Sequence, residues 1–334
     1  MVDAAPAVGA GGVADRAGGV AAVKSGPLPS EFTFGTDYTG RVKYTGIGDS
    51  DCSIAQALDV VGDWWTLLVV RDVAGGVNRF SDLAAELGVS RKVLTERLAM
   101  LVERGVLERR RYSDRPARFE YHLTDAGRGL LPVLIALQNW GAQHVMGDGT
   151  LNATSEPASA EARRVHGLVG TRIPALMLPG ADGTPADPIA AGAAWTVLYT
   201  FPGSPSVEPS LAPGWEQVPG GPGCTLEART FRDRLPEFAK LDAAVVGACT
   251  QRYEQLARFA ELENVPFPLL SDQGLELATA LRLPSFRAAG ADRLKRATLI
   301  VDANRVVRDT LYPVPDPAAS VDEALRIIGA LTVS

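Results

Sequence analysis

Apolar residues in the first half of the chain recur at helical spacing, with one pair of β-prone runs among them. Ile54, Leu58, Val61 and Trp65 fall on one face of a helix. The same spacing predicts further helices over residues 64–74, 78–88, 91–104 and 126–146, and β-prone runs over 106–112 and 118–123. Helices over 78–88 and 91–104 that are joined by a tight turn, followed by a hairpin and a last helix, predict a winged helix-turn-helix, which is an α+β fold.

The second half of the chain has a different pattern, in which continuous apolar runs alternate with helical segments. The runs at 195–201, 243–249, 297–302 and 306–312 are typical of buried strands. Helices are predicted after Cys224, over 251–263 and over 321–331. Strands that alternate with helices predict an α/β domain, so the whole chain is expected to be α/β.

These patterns divide the chain into four parts. Residues 1–49, rich in Ala, Gly, Val and Pro at their start, are predicted to be a largely disordered tail. Residues 50–146 form the predicted winged helix-turn-helix. Residues 147–166 are small and polar and are predicted to be a linker, and 167–334 form the α/β domain.

Charge is concentrated where a winged helix contacts DNA. The 334-residue chain has a net charge of −6, and residues 50–146 hold twelve basic and twelve acidic side chains. Residues 91–118 alone hold nine basic and four acidic ones. A solvated face is the alternative for any single charge, but the local excess predicts contact with double-stranded DNA. The candidate DNA-binding residues are Ser90, Arg91, Lys92, Thr95 and Arg97 on the recognition helix, and Arg109, Arg110, Arg111, Arg115 and Arg118 on the hairpin.

Four segments of this half, residues 52–72, 79–83, 90–98 and 121–127, resemble the HxlR-type winged-helix regulators in the same order. The resemblance covers about 51–145 and implies a homodimer that binds a pseudo-palindromic operator. It places Cys52 at the family's N-terminal cysteine, which is a redox sensor in some members. Trp64 departs from the Lys or Arg that is common at its position.

Cys224 is the strongest candidate for chemistry in the second half. It follows a run of glycine and proline at 219–223 and begins a predicted helix. Unpaired N–H groups and the helix dipole favour a thiolate at such a position. The alternative is a small buried cysteine in a turn.

The second half resembles thioredoxin-fold peroxiredoxins, most closely the Q type, over about 167–334. The matching residues lie at 195–202, 222–228, 231–233, 245–247, 267–272 and 296–302. The resemblance implies that Cys224 is the peroxidatic cysteine, with Glu227 and Arg296 as catalytic partners. It also implies a peroxide substrate and a thiol reductant.

Three departures from the peroxiredoxin pattern bear on turnover. Gly221 replaces the family's threonine, Gln217 its proline, and Arg229 the Q-type resolving cysteine. Arg229 is instead a candidate for lowering the pKa of Cys224. Cys249 ends a strand expected to neighbour the one before the active site, and is a candidate resolving thiol or a buried core cysteine.

Other features narrow the class of protein. Three scattered cysteines indicate a reducing cytoplasm rather than a disulfide framework. No run of about 18 apolar residues predicts a membrane span, and the N-terminus lacks the apolar core of a secretory signal. The three histidines have no ligand spacing, so neither a metal nor another cofactor is expected.

The sequence therefore predicts a cytoplasmic, homodimeric, redox-responsive transcriptional regulator. In this hypothesis, oxidation of Cys224 is relayed to the DNA-binding half through Cys52 or Cys249. A thiol peroxidase whose winged helix serves for dimerisation or localisation is the first alternative. A degenerate thioredoxin fold that binds a small ligand is the second.

Overall fold

The computed structural model describes residues 52–333, so the predicted tail at 1–49 lies outside it. The N-terminal half has the predicted order of elements. It consists of α1 (Ser53–Val61), α2 (Trp64–Ala74), α3 (Phe80–Leu87), α4 (Arg91–Glu103), β1 (Leu107–Asp114), β2 (Ala117–Leu123), α5 (Asp125–Arg128) and α6 (Leu131–Trp140), followed by a π-helical turn at Gly141–Val145.

Capping residues set the starts of the helices that form the helix-turn-helix. The Asp63 carboxylate accepts from the backbone N–H of Thr66 and begins α2, and the Ser90 hydroxyl accepts from that of Val93 and begins α4. Gly88, at φ +60°, makes the turn between α3 and α4. The recognition helix is therefore fixed by its local sequence.

The single helix predicted over 126–146 is wrong in the structure, which breaks it into α5, α6 and the π-helical turn. Pro132 lies in the first turn of α6, where it donates no backbone hydrogen bond to a preceding turn. The buried face of α6 consists of Leu131, Ile135 and Asn139, whereas Leu137 and Trp140 are largely exposed.

The C-terminal half is built on a five-stranded sheet of order β11-β10-β5-β6-β7. Strands β5, β6 and β7 are parallel, and β10 is antiparallel to both β5 and β11. The elements are α7 (Ala160–His166), β3 (Leu178–Pro179), β4 (Pro185–Ala186), β5 (Trp195–Thr200), α8 (Cys224–Asp233), α9 (Leu235–Lys240), β6 (Ala243–Cys249), α10 (Tyr253–Glu263), β7 (Leu269–Ser271), α11 (Glu276–Ala280), β8 (Ser285–Ala288), β9 (Ala291–Leu294), β10 (Ala297–Asp302), β11 (Val307–Leu311) and α12 (Ala319–Val333).

Both faces of this sheet are covered, which explains the continuous apolar runs of its strands. Val197 and Tyr199 face a cluster that contains Cys224 and Cys249, while Leu198 and Val246 face the opposite cluster. The predicted strands 243–249 and 297–302 are confirmed with the same bounds. The β8–β9 hairpin was not predicted.

The segment between the halves packs on the C-terminal half. The N–H of Ala153 donates to the carbonyl of Pro219 at 2.9 Å, and Glu161 on α7 pairs with Lys295 at 2.9 Å. Since all described residues belong to one compact unit, the two halves also contact each other directly. Gln138 of α6, for example, donates to the carbonyl of Leu283 at 2.9 Å.

In the described part of the chain, no single helix has the length and apolar character to cross a membrane. Only α1 and α2 taken as a pair, bent by 74°, meet that criterion of length and composition.

Candidate functional site

Cys224 is the first residue of α8, directly after a glycine that the backbone requires. Gly223 has φ +110°, and a Cβ atom there would lie 2.7 Å from Cγ of Pro317. Glycine thus lets the chain turn sharply and brings the sulfur against the end of the sheet. Cys224 itself is only 5% exposed.

Arg296, which directly precedes β10, joins the sulfur to a buried carboxylate. Its Nη2 lies 3.4 Å from Sγ of Cys224, and its Nη1 donates to Glu227. Nη2 also donates to the carbonyl of Pro222 at 3.1 Å, and the thiol donates to the carbonyl of Gly203 at 3.2 Å. The structure therefore brings together the three predicted catalytic residues in one buried cluster.

Burial governs the acid–base balance of this cluster. It raises the pKa of the Cys224 thiol, and the Arg296 guanidinium only partly opposes this shift. Burial also raises the pKa of Glu227 to about 7, again against the effect of Arg296. The expectation that the helix N-terminus keeps Cys224 as a thiolate therefore leaves out the larger effect. The Arg296 guanidinium contacts both Cys224 and Glu227. The Cys224 thiolate therefore forms most easily when Glu227 is protonated and does not compete for Arg296.

Tyr199 is a further polar group at this site that sequence reasoning treated only as part of a strand. Its ring stacks on Phe231 of α8 with a centroid separation of 4.5 Å. Among the described residues, neither its hydroxyl nor Oε1 of Glu227 has a hydrogen-bond partner. Burial raises the pKa of Tyr199, as do the negative charges of Glu227 and Cys224. The sequence offered no signal that separates Tyr199 from the other hydroxyl residues of the same run, Thr196 and Thr200.

Gly221 lies in the position where the resemblance places a threonine, and the structure leaves little room there. A Cβ atom would lie 3.1 Å from the carbonyl oxygen of Val218 and 3.3 Å from the indole of Trp215. Arg229 is half exposed and pairs with Glu263 at 2.6 Å. The positive charge at the sulfur therefore comes from Arg296.

The other two cysteines occupy different environments. Cys249, at the end of β6, is fully buried, and burial raises its pKa. The prediction that the strand of Cys249 lies beside the strand before the active site is confirmed, because β6 pairs with β5. Cys52 is the N-cap of α1 and is partly exposed. All three cysteines are free.

The predicted DNA-contacting residues lie on α4 and on the β1–β2 hairpin. All are exposed except Arg97, which is partly buried and pairs with Asp63 at 3.1 Å. The remaining nine are Ser90, Arg91, Lys92, Thr95, Arg109, Arg110, Arg111, Arg115 and Arg118.

Several of these side chains are held by neighbours on the protein. Arg91 lies over the ring of Phe80, and Arg109 lies 4.1 Å from the ring centroid of Phe119. Arg110 pairs with Glu108. These contacts orient the guanidinium groups, while the charges on the exposed face stay predominantly positive.

A winged helix joined to a thioredoxin-like sheet with a buried cysteine–arginine pair defines a helix-turn-helix regulator fused to a peroxiredoxin-like domain. Comparison with known families agrees with this class. The "HxlR-like helix-turn-helix" family matches residues 60–148, and the "AhpC/TSA family" matches residues 218–310. The chain belongs to both families, one in each half.

Individual relatives match one half or the other. An uncharacterised HTH-type transcriptional regulator of Mycobacterium tuberculosis is 46% identical over 93 residues, which are 28% of this chain and 59% of the relative. A provisionally named peroxiredoxin of the same species is 34% identical over 110 residues, 33% of this chain and 71% of the relative. The chain thus spans less than two thirds of the length of that regulator.

Among solved structures, peroxidoxin BcpB from Mycobacterium tuberculosis is similar to this chain, with 29% sequence identity. The match covers 49% of this chain and 97% of BcpB, with a TM-score of 0.41.

Proposed function

We propose that this protein is a redox-responsive transcriptional regulator in which peroxide oxidises Cys224 and the change alters operator binding. The observation that carries the proposal is the Arg296 bridge between Sγ of Cys224 and Glu227 in a chain that also has an HxlR-like domain. A guanidinium at a buried sulfur stabilises the thiolate and polarises a peroxide beside it.

The proposed chemistry is a two-electron oxidation of sulfur. The Cys224 thiolate attacks one peroxide oxygen, an S–O bond forms, and the O–O bond breaks. The other oxygen leaves with the bonding pair and takes up a proton, so the peroxide is reduced to water or an alcohol. The resulting sulfenic acid condenses with a second thiol to give a disulfide and water.

Two thiols are candidates for that second step. Cys249 shares the hydrophobic cluster of Cys224, and Gln251 links its surroundings to the active-site loop by accepting from the N–H of Ser204 at 2.8 Å. Cys52 is more accessible, and its place at the start of α1 ties it to the DNA-binding half. Reaction with either one, within a protomer or between protomers, would relay oxidation from Cys224.

We propose that the protein works as a cytoplasmic homodimer on double-stranded DNA. Ile54, Leu58, Val133, Leu137 and Trp140 of α1 and α6 are between 46% and 71% exposed. Apolar side chains in such numbers on two helices favour a protein partner, here a second copy of the chain. Two recognition helices related by a two-fold axis would then bind a pseudo-palindromic operator.

Thiol peroxidase activity is the second candidate function, favoured by the assembled cluster of Cys224, Arg296 and Glu227. Gly221 and Arg229 argue against fast turnover, because they replace the residues that orient the peroxide and resolve the sulfenic acid in the Q-type pattern. Steady-state peroxide consumption with a thiol reductant would measure this activity, with Cys224→Ser as the control.

Peptide mapping under non-reducing conditions tests the proposed oxidation. After peroxide treatment we expect a disulfide from Cys224 to Cys249 or Cys52, absent in Cys224→Ser. A Cys224 recovered only as thiol, or as over-oxidised acid with operator binding unchanged, would contradict the relay.

A further inference from the structure

A cavity of about 550 Å³ lies where the two halves meet, apart from the Cys224 site. One wall comes from α6 and the π-helical turn, a second from residues 146–161, and a third from β8 and Lys295. This volume falls within the range of small-molecule sites. A π-helical turn in its wall is a further feature that often accompanies functional sites.

Two cationic side chains line the cavity, Lys295, which is buried, and Arg164, which is partly buried. Lys295 is 8% exposed and donates to the carbonyl of Thr154 and to Glu161, both at 2.9 Å. Arg164 donates through Nε to the carbonyl of Arg282 at 3.1 Å. Its Nη2 is buried and has no hydrogen-bond partner anywhere in the described residues 52–333. A buried guanidinium donor without an acceptor is costly, which indicates an absent polar partner.

The charge count at this wall favours an anion. Glu161 is the acidic side chain in contact with Lys295, and it also accepts from the hydroxyl of Tyr312. The other acidic residues of the lining, Asp148 and Glu156, are exposed at the rim. Glu161 pairs with Lys295, so Arg164 has no buried carboxylate of its own among the described residues of the lining.

The rest of the lining mixes neutral polar side chains with a few large apolar ones. Leu137, Met146, Leu151 and Phe286 contribute to it. Phe286 is held in place by stacking on Trp215. A ligand with one negative group and a compact hydrocarbon body fits the cation at Arg164 and these four apolar side chains.

We propose that this cavity binds an organic monocarboxylate, with the carboxylate at Arg164 and the hydrocarbon part against Phe286, Met146 and Leu151. The ligand would lie in a cavity that is also lined by α6 of the DNA-binding half and by Lys295 of the peroxiredoxin-like half. It would be a second input to the protein, independent of peroxide oxidation at Cys224.

Isothermal titration calorimetry of the full chain with octanoate and its neutral analogue octanamide tests the proposal. We expect one octanoate per chain and much weaker binding of octanamide. Arg164→Gln should weaken octanoate binding about tenfold or more, which corresponds to about 1.4 kcal/mol. Arg163→Gln is the matched control, because Arg163 neighbours Arg164 on α7 but is exposed.

A second variant keeps the test decisive if Arg164→Gln fails to fold. Leu151→Asp places a negative charge at an exposed position of the apolar lining and should also reduce octanoate binding at least tenfold. The proposal is overturned if wild type binds no octanoate at millimolar concentration. It is also overturned if the folded variants bind octanoate as tightly as wild type does.

Discussion

Nη2 of Arg282 lies 2.6 Å from Oδ1 of Asp72, and this ion pair joins the two halves of the chain. Asp72 is fully buried in α2, and Arg71 binds the same oxygen at 2.7 Å. Arg282 follows α11, whose first turn is capped by Asp272 next to the end of β6 and Cys249. The contact therefore lies between the peroxiredoxin-like half and the core of the helix-turn-helix.

Arg282→Gln tests how much this contact contributes to stability. It leaves a buried carboxylate with one cation fewer, so we expect the free energy of unfolding to fall by about 1–3 kcal/mol. Arg326→Gln is the control, because Arg326 forms an exposed pair with Glu323 on α12 and should change stability by less than about 1 kcal/mol. Urea unfolding of both variants provides the comparison. Equal losses would argue against a special role for the pair.

Glu227→Gln should make Cys224 more reactive at neutral pH. The Glu227 carboxylate raises the pKa of the thiol and competes for Arg296, so its removal lowers that pKa. The rate of Cys224 alkylation by iodoacetamide, plotted against pH, should shift to lower pH. Arg296→Gln should shift the same profile to higher pH, because the guanidinium lowers the pKa of the thiol. A shift of both variants in one direction would contradict this account of the cluster.

Gly223→Ala should destabilise the protein more than a comparable glycine substitution elsewhere. Both Gly223 and Gly290 have positive φ, but only Gly223 faces a close neighbour, Pro317. We expect Gly223→Ala to cost about 1–3 kcal/mol more than Gly290→Ala, because the added methyl group must displace Pro317. Thermal unfolding of the two variants measures the difference. A similar loss in each would mean that the turn before Cys224 relaxes freely.

Arg118→Ala should reduce the salt dependence of DNA binding. Arg118 is exposed on the hairpin, and loss of one phosphate contact lowers the slope of log K against log salt by about one. Arg326→Ala, at an exposed position on α12, serves as a control with the same charge change. Fluorescence anisotropy over a series of salt concentrations gives both slopes. An unchanged slope for Arg118→Ala would remove this part of the hairpin from the interface.

The sequence predicted most elements because their signals are local. Asp63 and Ser90 cap their helices, and strands buried on both faces give continuous apolar runs. The family resemblance named Arg296 together with Cys224 and Glu227, although Arg296 lies 72 positions from Cys224, and the structure places the three side chains in contact. The break in the helix over 126–146 was missed although Pro132 signalled it, since the apolar spacing continues across the break.

Features that depend on tertiary contacts could not be predicted from the sequence. Burial raises the pKa of Cys224, and no local pattern reports how deeply a helix N-terminus will be covered. The pairing of Arg282 with Asp72 joins residues 210 positions apart. The buried donor of Arg164 likewise becomes visible only once α7 is packed on the sheet.

We propose above that oxidation at Cys224 changes DNA binding. The most direct test of this proposal is the affinity of the full chain for its own upstream DNA, measured by fluorescence anisotropy with and without peroxide. We expect a several-fold change in affinity for wild type and none for Cys224→Ser. Unchanged wild-type affinity, in a sample where mass spectrometry shows Cys224 to be oxidised, would contradict it.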